Sequence, residues 1–376
     1  MIKRGLGTRV PAVLAALAFA AAEAVIGSRD PAGAASAFFL APISDPWRLA
    51  SLLGAMAPLL VAGLGAAAAF RAGIFNLGGE GQAALGFFVG SLFLSRVDGL
   101  SPIFALPAAF LLAALAGALL ATLSALAERR FGASVLISSF LLSQVVVISI
   151  DWAVAGPFRD PASNLLGMRP LGAKYLLPRL AGSFPLGSGI FLALAIAIAM
   201  IWLLRFSRPG FELGLFGRSR EFARAQGLDA FLDLWPLSLS GGLSGMAGLL
   251  ATAGASGQAV QGMTAGLGWN GLAVSLVAGT DPILTISSAL LFAWLSEGAK
   301  AASILSDLSP ATASVIIALI MLLVTAKGRW PGKRRRQAGG PERAAGSPRQ
   351  TVSATGQAVD APEQTVSAPG RARGVE

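Results

Sequence analysis

The sequence predicts an all-α polytopic membrane protein, and three observations support this fold class. Apolar residues make up 55% of the chain and charged residues only 13%, whereas roughly one-quarter of the residues in soluble domains are charged. The apolar residues are grouped in blocks of about twenty, the length that a helix needs to cross a hydrocarbon core. Membrane β-barrels show shorter, alternating patterns instead. We therefore predict about ten transmembrane helices, some of them broken.

The predicted crossings occupy most of the first 325 residues. They are Val10–Ile26, Leu49–Phe70, Gln82–Ser95, Pro102–Leu126, Val135–Val154, Gly187–Leu204, Leu234–Ala251, Gly266–Gly279, Ile283–Leu295 and Ala311–Thr325. Cytoplasmic loops carry an excess of Lys and Arg. With these crossings, one side of the membrane carries the basic tail together with Arg71, Arg129 and the cluster from Arg205 to Arg224. This side is therefore cytoplasmic, and both termini lie on it. The first crossing also resembles a signal peptide, but its apolar character continues to Ile26 and favours an uncleaved helix.

Composition also excludes several function classes. The net charge is +10, but the basic residues lie at segment ends and are not interleaved with aromatic residues, so no nucleic-acid partner is predicted. The chain has neither cysteine nor histidine, which removes thiol chemistry, the usual zinc ligands and the usual neutral-pH general base. We therefore predict no catalytic residue and no metal site.

The chain changes character past Trp330. A basic run, Lys333–Arg336, is followed by a stretch of Gly, Pro, Ser, Ala and Gln in which Gln350–Ala354 recurs as Gln364–Ala368. Such a segment cannot bury enough apolar area to fold. We predict a transmembrane domain over residues 1–330 and a disordered, basic, low-complexity cytoplasmic tail over residues 331–376.

The first site of interest is a break between the second and third crossings. Glycines and polar groups interrupt the apolar sequence over Phe70–Gln82. Non-helical backbone at membrane depth survives only where protein or a watery cavity satisfies it, so such breaks line transport routes. This predicts Asn76, Glu80 and Gln82 as pathway residues. Two alternatives stay open: a short cytoplasmic turn in water, or a Glu80 carboxylate that pairs with Arg71 to hold the break in shape.

A second break lies over Gly262–Gly271. Paired glycine-interrupted segments in the two halves of a chain indicate a midplane binding site, although close helix packing through small residues is an alternative. An aromatic ring and an amide, Trp269 and Asn270, suit a polar ligand that contains a ring. Further pathway candidates on the fifth crossing are Ser138, Ser143 and Gln144.

A third site lies in the basic loop after the sixth crossing. Ser219 is a good N-cap, Glu221 suits the positive start of a helix, and Gly227 suits the position after its end. The pattern predicts a two-turn helix outside the bilayer. A helix of that length normally needs a partner surface, and an ordinary surface turn is the alternative.

These motifs together resemble a known family. The stretch Phe70–Gln82 resembles the FRAGxFNxGxEGQ signature of permeases from nucleoside-type ABC importers, within the branched-chain amino acid and simple-sugar permease superfamily. Further matches follow in the same order: Arg130–Gly132 leading to Ile137–Ser138, Gly156–Pro161, Gly210–Leu213, Ser240–Gly248, Gly268–Val274 and Asp281–Pro282. The resemblance spans about Leu49 to Thr325.

The resemblance implies a permease subunit and not an enzyme. The chain contains no Walker-type phosphate-binding motif, so it needs no cofactor of its own, and ATP and Mg belong to a separate cytoplasmic ABC ATPase subunit. The other implied partners are a second permease subunit, expected as a heterodimer, and an extracytoplasmic substrate-binding lipoprotein, in a bacterial cytoplasmic (inner) membrane. The helix that couples to the ATPase maps onto Ser219, Glu221, Ala223, Arg224 and Gly227.

Departures from the family pattern affect the expected substrate. The chain has Ser134–Ile137 where the nucleoside group shows Asn-Glu-Val-Ile, and Ser139–Gln144 in place of Thr-Ile-Met-Leu-Asn-Tyr. The Gly214–Arg218 stretch also departs from the family pattern, so the details of the contact with the ATPase are expected to differ from those in the family. We expect nucleosides or nucleobases as the substrate, with simple sugars or branched-chain amino acids as the alternative.

Two other function classes are compatible with a membrane protein. An ion-coupled secondary transporter needs ionisable sites within the membrane, for which the few candidates are Glu23, Asp151 and Glu297. A membrane enzyme needs clustered carboxylates, a nucleophile with a base or a set of metal ligands, and the sequence shows no such pattern.

Overall fold

The computed structural model describes residues 28–97, 99–179, 186–228, 234–263 and 266–306, together with Ala18, Val315 and Ala318. The helices in these ranges are α1 (Pro31–Phe39), α2 (Pro46–Arg71), α3 (Gly79–Arg96), α4 (Pro102–Phe131), α5 (Val135–Ala155), α6 (Gly189–Phe206), α7 (Arg208–Phe216), α8 (Arg220–Ala225), α9 (Trp235–Ala251), α10 (Leu267–Ala278) and α11 (Pro282–Leu305). The described ranges contain no β-strand, so the predicted all-α class is confirmed. Apart from the single positions above, the first and last predicted crossings and the tail lie outside these ranges.

Five of the described helices are long and apolar enough to cross a membrane: α2, α4, α5, α6 and α11. The helices α3, α9 and α10 fall outside this group because they are shorter or more polar. They pack in the interior, where neighbouring helices cover their glycines and serines. An interior helix does not need a continuous apolar surface, since it contacts protein rather than lipid.

The α5 helix shows how the outer helices meet their surroundings. Its large apolar side chains Ile137, Leu141, Val145, Ile148 and Trp152 are between 56% and 70% exposed. Their spacing places them along one stripe of the helix. A continuous exposed apolar stripe of this kind suits contact with lipid chains and not with water.

Small residues allow α9 to pack closely against its neighbours. A Cβ added to Gly245 would overlap the carbonyl oxygen of Ala113 in α4, and one added to Gly248 would overlap that of Ala83 in α3. Because only glycine permits such an approach, the Ser240–Gly248 stretch that matches the family has a packing role. It holds α9 between α3 and α4.

The long connection between α5 and α6 is tied to the segment that leads into α10. The backbone N–H groups of Met168, Leu171 and Leu177 donate to carbonyl oxygens of Ala259, Gly257 and Ala253 at 2.8–2.9 Å. In addition, the hydroxyl of the buried Tyr175 donates to the carbonyl oxygens of Val97 and Leu100. The described part of this connection is therefore an ordered segment that packs along the residues following α9.

Candidate functional site

The first break is present, and three of its polar side chains lie inside the protein. Helix α2 ends at Arg71 and α3 begins at Gly79, and Gly73 turns the chain with a φ of +71°. The side chains of Asn76, Glu80 and Gln82 are 2%, 6% and 0% exposed. The alternative of a turn with Glu80 in water is therefore wrong.

Asn76 closes a local hydrogen-bond circuit. Its Nδ2 donates to Gln82 Oε1 and to Ser240 Oγ, both at 3.0 Å. Its Oδ1 accepts from the backbone N–H of Gly78 at 2.9 Å and from Gln82 Nε2 at 3.1 Å. An asparagine amide has two N–H donors and two acceptor lone pairs, so this circuit uses all of them. Asn76 therefore joins the break to α3 and α9.

Glu80 connects the first break to the second. Its Oε1 and Oε2 accept from the backbone N–H groups of Gly266 and Gly268, each at 2.8 Å. No ion pair to Arg71 within 4.0 Å occurs between these two described side chains. The carboxylate thus satisfies N–H groups at the start of α10, which otherwise lack intrahelical partners, and it also complements the positive end of the helix.

The start of α10 lies directly on the start of α3. A Cβ added to Gly268 would overlap the backbone nitrogen of Glu80 and lie 2.6 Å from its Cα. The packing alternative for Gly262–Gly271 therefore holds at Gly268. The same segment also begins a helix inside the bundle, and the two interrupted segments meet at Glu80. The binding role that the break interpretation gave to this segment stays a prediction.

Two serines of α5 satisfy the backbone of the first break. Ser139 Oγ accepts from the N–H of Leu77 at 3.1 Å, and Ser143 Oγ accepts from the N–H of Gly81 at 2.7 Å. Ser138 lies elsewhere, because its hydroxyl donates to the carbonyl oxygen of Ser124 in α4 at 3.4 Å. Sequence reasoning therefore missed Ser139. The spacing of four residues from Ser143, which places both on one helix face, was the signal that could have identified it.

An aromatic pair lies beside this network. The rings of Phe140 on α5 and Trp269 on α10 have centroids 6.2 Å apart and an interplanar angle of 62°. The amides of Gln144 and Asn270 are half-buried, and neither side chain has a hydrogen-bond partner within the described residues. Of the predicted pathway residues, Trp269, Asn270 and Gln144 thus keep free polar or aromatic surface, whereas Asn76 and Glu80 are engaged by protein.

The predicted two-turn helix is α8. Ser219 caps it by accepting from the N–H of Phe222 at 3.2 Å, and Gly227 follows it with a φ of +75°. Glu221 and Arg224 are exposed, and Ala223 is buried. A cavity of about 780 Å³ adjoins this helix. Its lining residues are Arg205, Phe206, Ser207, Arg208, Phe211, Glu212, Leu215, Phe222, Gln226 and Leu228.

The α7–α8 unit contacts the first break directly. Gly217, between α7 and α8, lies so close that an added Cβ would overlap the carbonyl oxygen of Arg71 and lie 3.0 Å from the carbonyl carbon of Ala72. On the other side, a Cβ added to Gly73 would lie 3.3 Å from the carbonyl oxygen of Gly217. The sequence showed Gly217 only as part of a departure from the family pattern. The structure identifies Gly217 as the contact between the α7–α8 unit and the break.

Comparison with known proteins identifies the family of this chain. Residues 48–325 match the family described as "Branched-chain amino acid transport system / permease component". The chain belongs to this permease family. No solved structure matches it.

Three relatives show the range of the family. The permease is 30% identical to a probable riboflavin import permease protein of Treponema pallidum, covering 86% of this chain and 87% of the relative. It is 28% identical to a glucose ABC transporter permease protein of Haloferax volcanii (85% and 87% covered) and 26% identical to a guanosine ABC transporter permease protein of Bacillus subtilis (87% and 95% covered). The permease is therefore a multi-pass membrane subunit of an ABC importer.

Proposed function

We propose that this permease carries nucleosides or nucleobases across a bacterial cytoplasmic membrane in an ATP-driven importer. The observation that supports this substrate class is the aromatic pair Phe140–Trp269, with the unpartnered amides of Gln144 and Asn270 in the same part of the bundle. Flat heteroaromatic rings offer a face for stacking and an edge for hydrogen bonds. Two of the relatives above carry names of compounds with such rings, guanosine and riboflavin.

Simple sugars or branched-chain amino acids are the second candidate substrates. Amide side chains also bind sugar hydroxyls, and one relative is named for glucose. An aliphatic amino acid would need partners for its own carboxylate and ammonium groups. The carboxylates of Glu80 and Asp151 are already engaged by backbone N–H groups, which favours a neutral ring.

Ion-coupled transport has little support from the described carboxylates. Asp151 accepts from the N–H of Gly262 at 3.0 Å, and Glu297 accepts from Ser51 at 3.2 Å and from Lys300 at 2.7 Å. Glu23 lies outside the described residues. We propose instead that a separate ABC ATPase subunit, which binds the ATP and Mg, supplies the energy for transport. A second permease subunit, expected as a heterodimer, and a substrate-binding lipoprotein complete the proposed importer.

The geometry supports a route for coupling. The proposed ATPase contact is α8, and Gly217 joins α8 to the end of α2 and to the break. The break is joined to α3 through the Asn76–Gln82 circuit and to the start of α10 through Glu80. A displacement of α8 on ATP binding would therefore shift the starts of α3 and α10 together. Such rigid, contiguous contacts are what can carry motion between two sites.

The test of the proposed function is uptake by the reconstituted importer. The permease, its ATPase, the second permease and the binding lipoprotein are placed in vesicles, and initial uptake of guanosine, glucose and leucine is measured with and without ATP. We expect ATP-dependent guanosine uptake that persists with an ionophore. Uptake of glucose or leucine alone would contradict the substrate class. Uptake that needs no ATPase and stops with the ionophore would contradict the ABC mechanism.

The coupling role of α8 can be tested at Gly227. A Gly227→Ala change forces an alanine into left-handed backbone (φ +75°), at a cost of roughly 1–2 kcal/mol, and distorts the end of α8. We expect ATP hydrolysis to continue while uptake per ATP hydrolysed falls several-fold. A Glu221→Ala change, which removes a favourable charge at the helix start, is expected to act in the same direction.

Gly132→Ala provides the matched control for this prediction. Gly132 follows the end of α4 with a φ of +69°, and, as at Gly227, nothing lies within 4 Å of an added Cβ. The backbone strain is therefore similar, but Gly132 is not part of α8. Equal loss of uptake per ATP in the two alanine variants, or normal coupling in both, would argue against α8 as the ATPase contact.

A further inference from the structure

The side chains of α5 form three separate faces. With a turn of about 100° per residue, one face holds the buried Ser139, Ser143 and Ile150, and another holds the exposed apolar stripe described above. Between them, Phe140, Gln144 and Asp151 fall within about 40° of one another. All three are half-buried. We call this third face the polar border of α5.

Within the polar border, Asp151 accepts from the N–H of Gly262, whereas Gln144 lacks a polar neighbour among the described residues. Gln144 lies in the middle of an apolar helix, yet its amide has no hydrogen-bond partner in the described part of the chain. An unsatisfied amide in hydrocarbon costs several kcal/mol. Its amide is therefore available to bind water or a transported molecule.

Backbone contacts fix the two rings near the polar border. Ser139, the residue before Phe140, is bound to the first break through the N–H of Leu77. Gly268, the residue before Trp269, is bound to Glu80. Both rings therefore follow residues that are held by hydrogen bonds. The rings lie edge-to-face with centroids 6.2 Å apart, and each ring is half-buried.

We propose that Phe140 and Gln144 select the substrate during transport. The Phe140 ring, held in edge-to-face contact with Trp269, stacks on a flat heteroaromatic ring, and the Gln144 amide hydrogen-bonds the edge of that ring. This inference rests on the proposed nucleoside import and adds the residues that discriminate between nucleosides with different base rings. Since stacking grows with ring area, purine nucleosides gain more from Phe140 than pyrimidine nucleosides do.

The test compares guanosine and uridine uptake by the full importer carrying Phe140→Leu. Loss of an aromatic pair changes rates by about 3- to 10-fold. We expect guanosine uptake to fall by about this factor, uridine uptake to fall less, and Phe140→Tyr to retain the original ratio. Leu141→Ala, on the exposed apolar stripe one residue away, is the matched control and should leave the ratio unchanged.

The ratio of the two uptake rates separates selection from a folding defect, because loss of folded protein lowers both rates equally. A guanosine-to-uridine ratio in Phe140→Leu that equals the original ratio, whether or not total uptake falls, would overturn the proposal. Failure of the proposed function is distinguishable, because the unmodified importer would then take up neither nucleoside.

Discussion

Replacing Gly217 with alanine is expected to abolish most uptake while the assembled importer still hydrolyses ATP. The backbone of Gly217 has a φ of −67°, which any residue adopts, so the effect comes from contact and not from backbone strain. An added Cβ would overlap the Arg71 carbonyl oxygen. Because backbone on both sides leaves no flexible group to move aside, α8 and the break would have to separate. The measurement is uptake per ATP hydrolysed in vesicles.

Gly214→Ala is the control for this variant. Gly214 lies in the same short helix, α7, and an added Cβ there would meet only the Nε of the Arg71 side chain, at 3.7 Å. We expect near-normal coupling in this variant. Normal uptake per ATP in Gly217→Ala would show that motion does not pass through the Gly217 contact.

A second large effect is expected for Glu80→Gln. Glutamine has the same shape but only one acceptor oxygen, so one of the two N–H groups of Gly266 and Gly268 would lose its partner inside the protein. A buried unsatisfied group costs about 1–3 kcal/mol. We expect a lower midpoint of thermal unfolding in detergent and a loss of uptake, since the start of α10 is no longer held on α3.

Glu128→Gln is the matched control, because Glu128 is half-buried at the end of α4 and makes no side-chain hydrogen bond within the described ranges. This variant should unfold at the original midpoint. A different result is expected if Glu80 has the pathway role that the sequence predicted. If Glu80 contacts substrate rather than holding α10, Glu80→Gln should keep its thermal stability and lose only uptake.

Hydropathy and helix signals were sufficient to predict much of the fold. The apolar blocks predicted α4, α5 and α6 closely, because lipid-exposed helices must be apolar along their whole length. They also predicted α2, which is equally apolar but mostly buried within the bundle. Ser219 and Gly227 predicted α8, since caps act through the neighbouring backbone. The start of α10 was harder to interpret, because its meaning depends on Glu80, nearly two hundred residues earlier in the chain.

The functional site was predicted only in part. The sequence did not show which serines of α5 face the break, or which side chains already have hydrogen-bond partners. Sequence reasoning named Ser138 and Ser143, but the two serines that bind the break are Ser139 and Ser143. Asn76 was predicted as a pathway residue, and that role remains a prediction. In this structure, however, its amide is fully used by Gly78, Gln82 and Ser240. Sequence alone does not show which polar groups are already satisfied.

Chemical labelling of α5 tests the central claim that the polar border of this helix lines a watery transport route. The chain has no cysteine, so Gln144→Cys and Val145→Cys each place one thiol in it, on the polar border and on the exposed apolar stripe. The assembled importer is treated with a membrane-impermeant maleimide, with and without ATP and with guanosine. We expect Gln144→Cys to be labelled at a rate that changes with nucleotide and falls with guanosine, and Val145→Cys to remain unlabelled. Equal labelling of the two positions in every state would contradict the account.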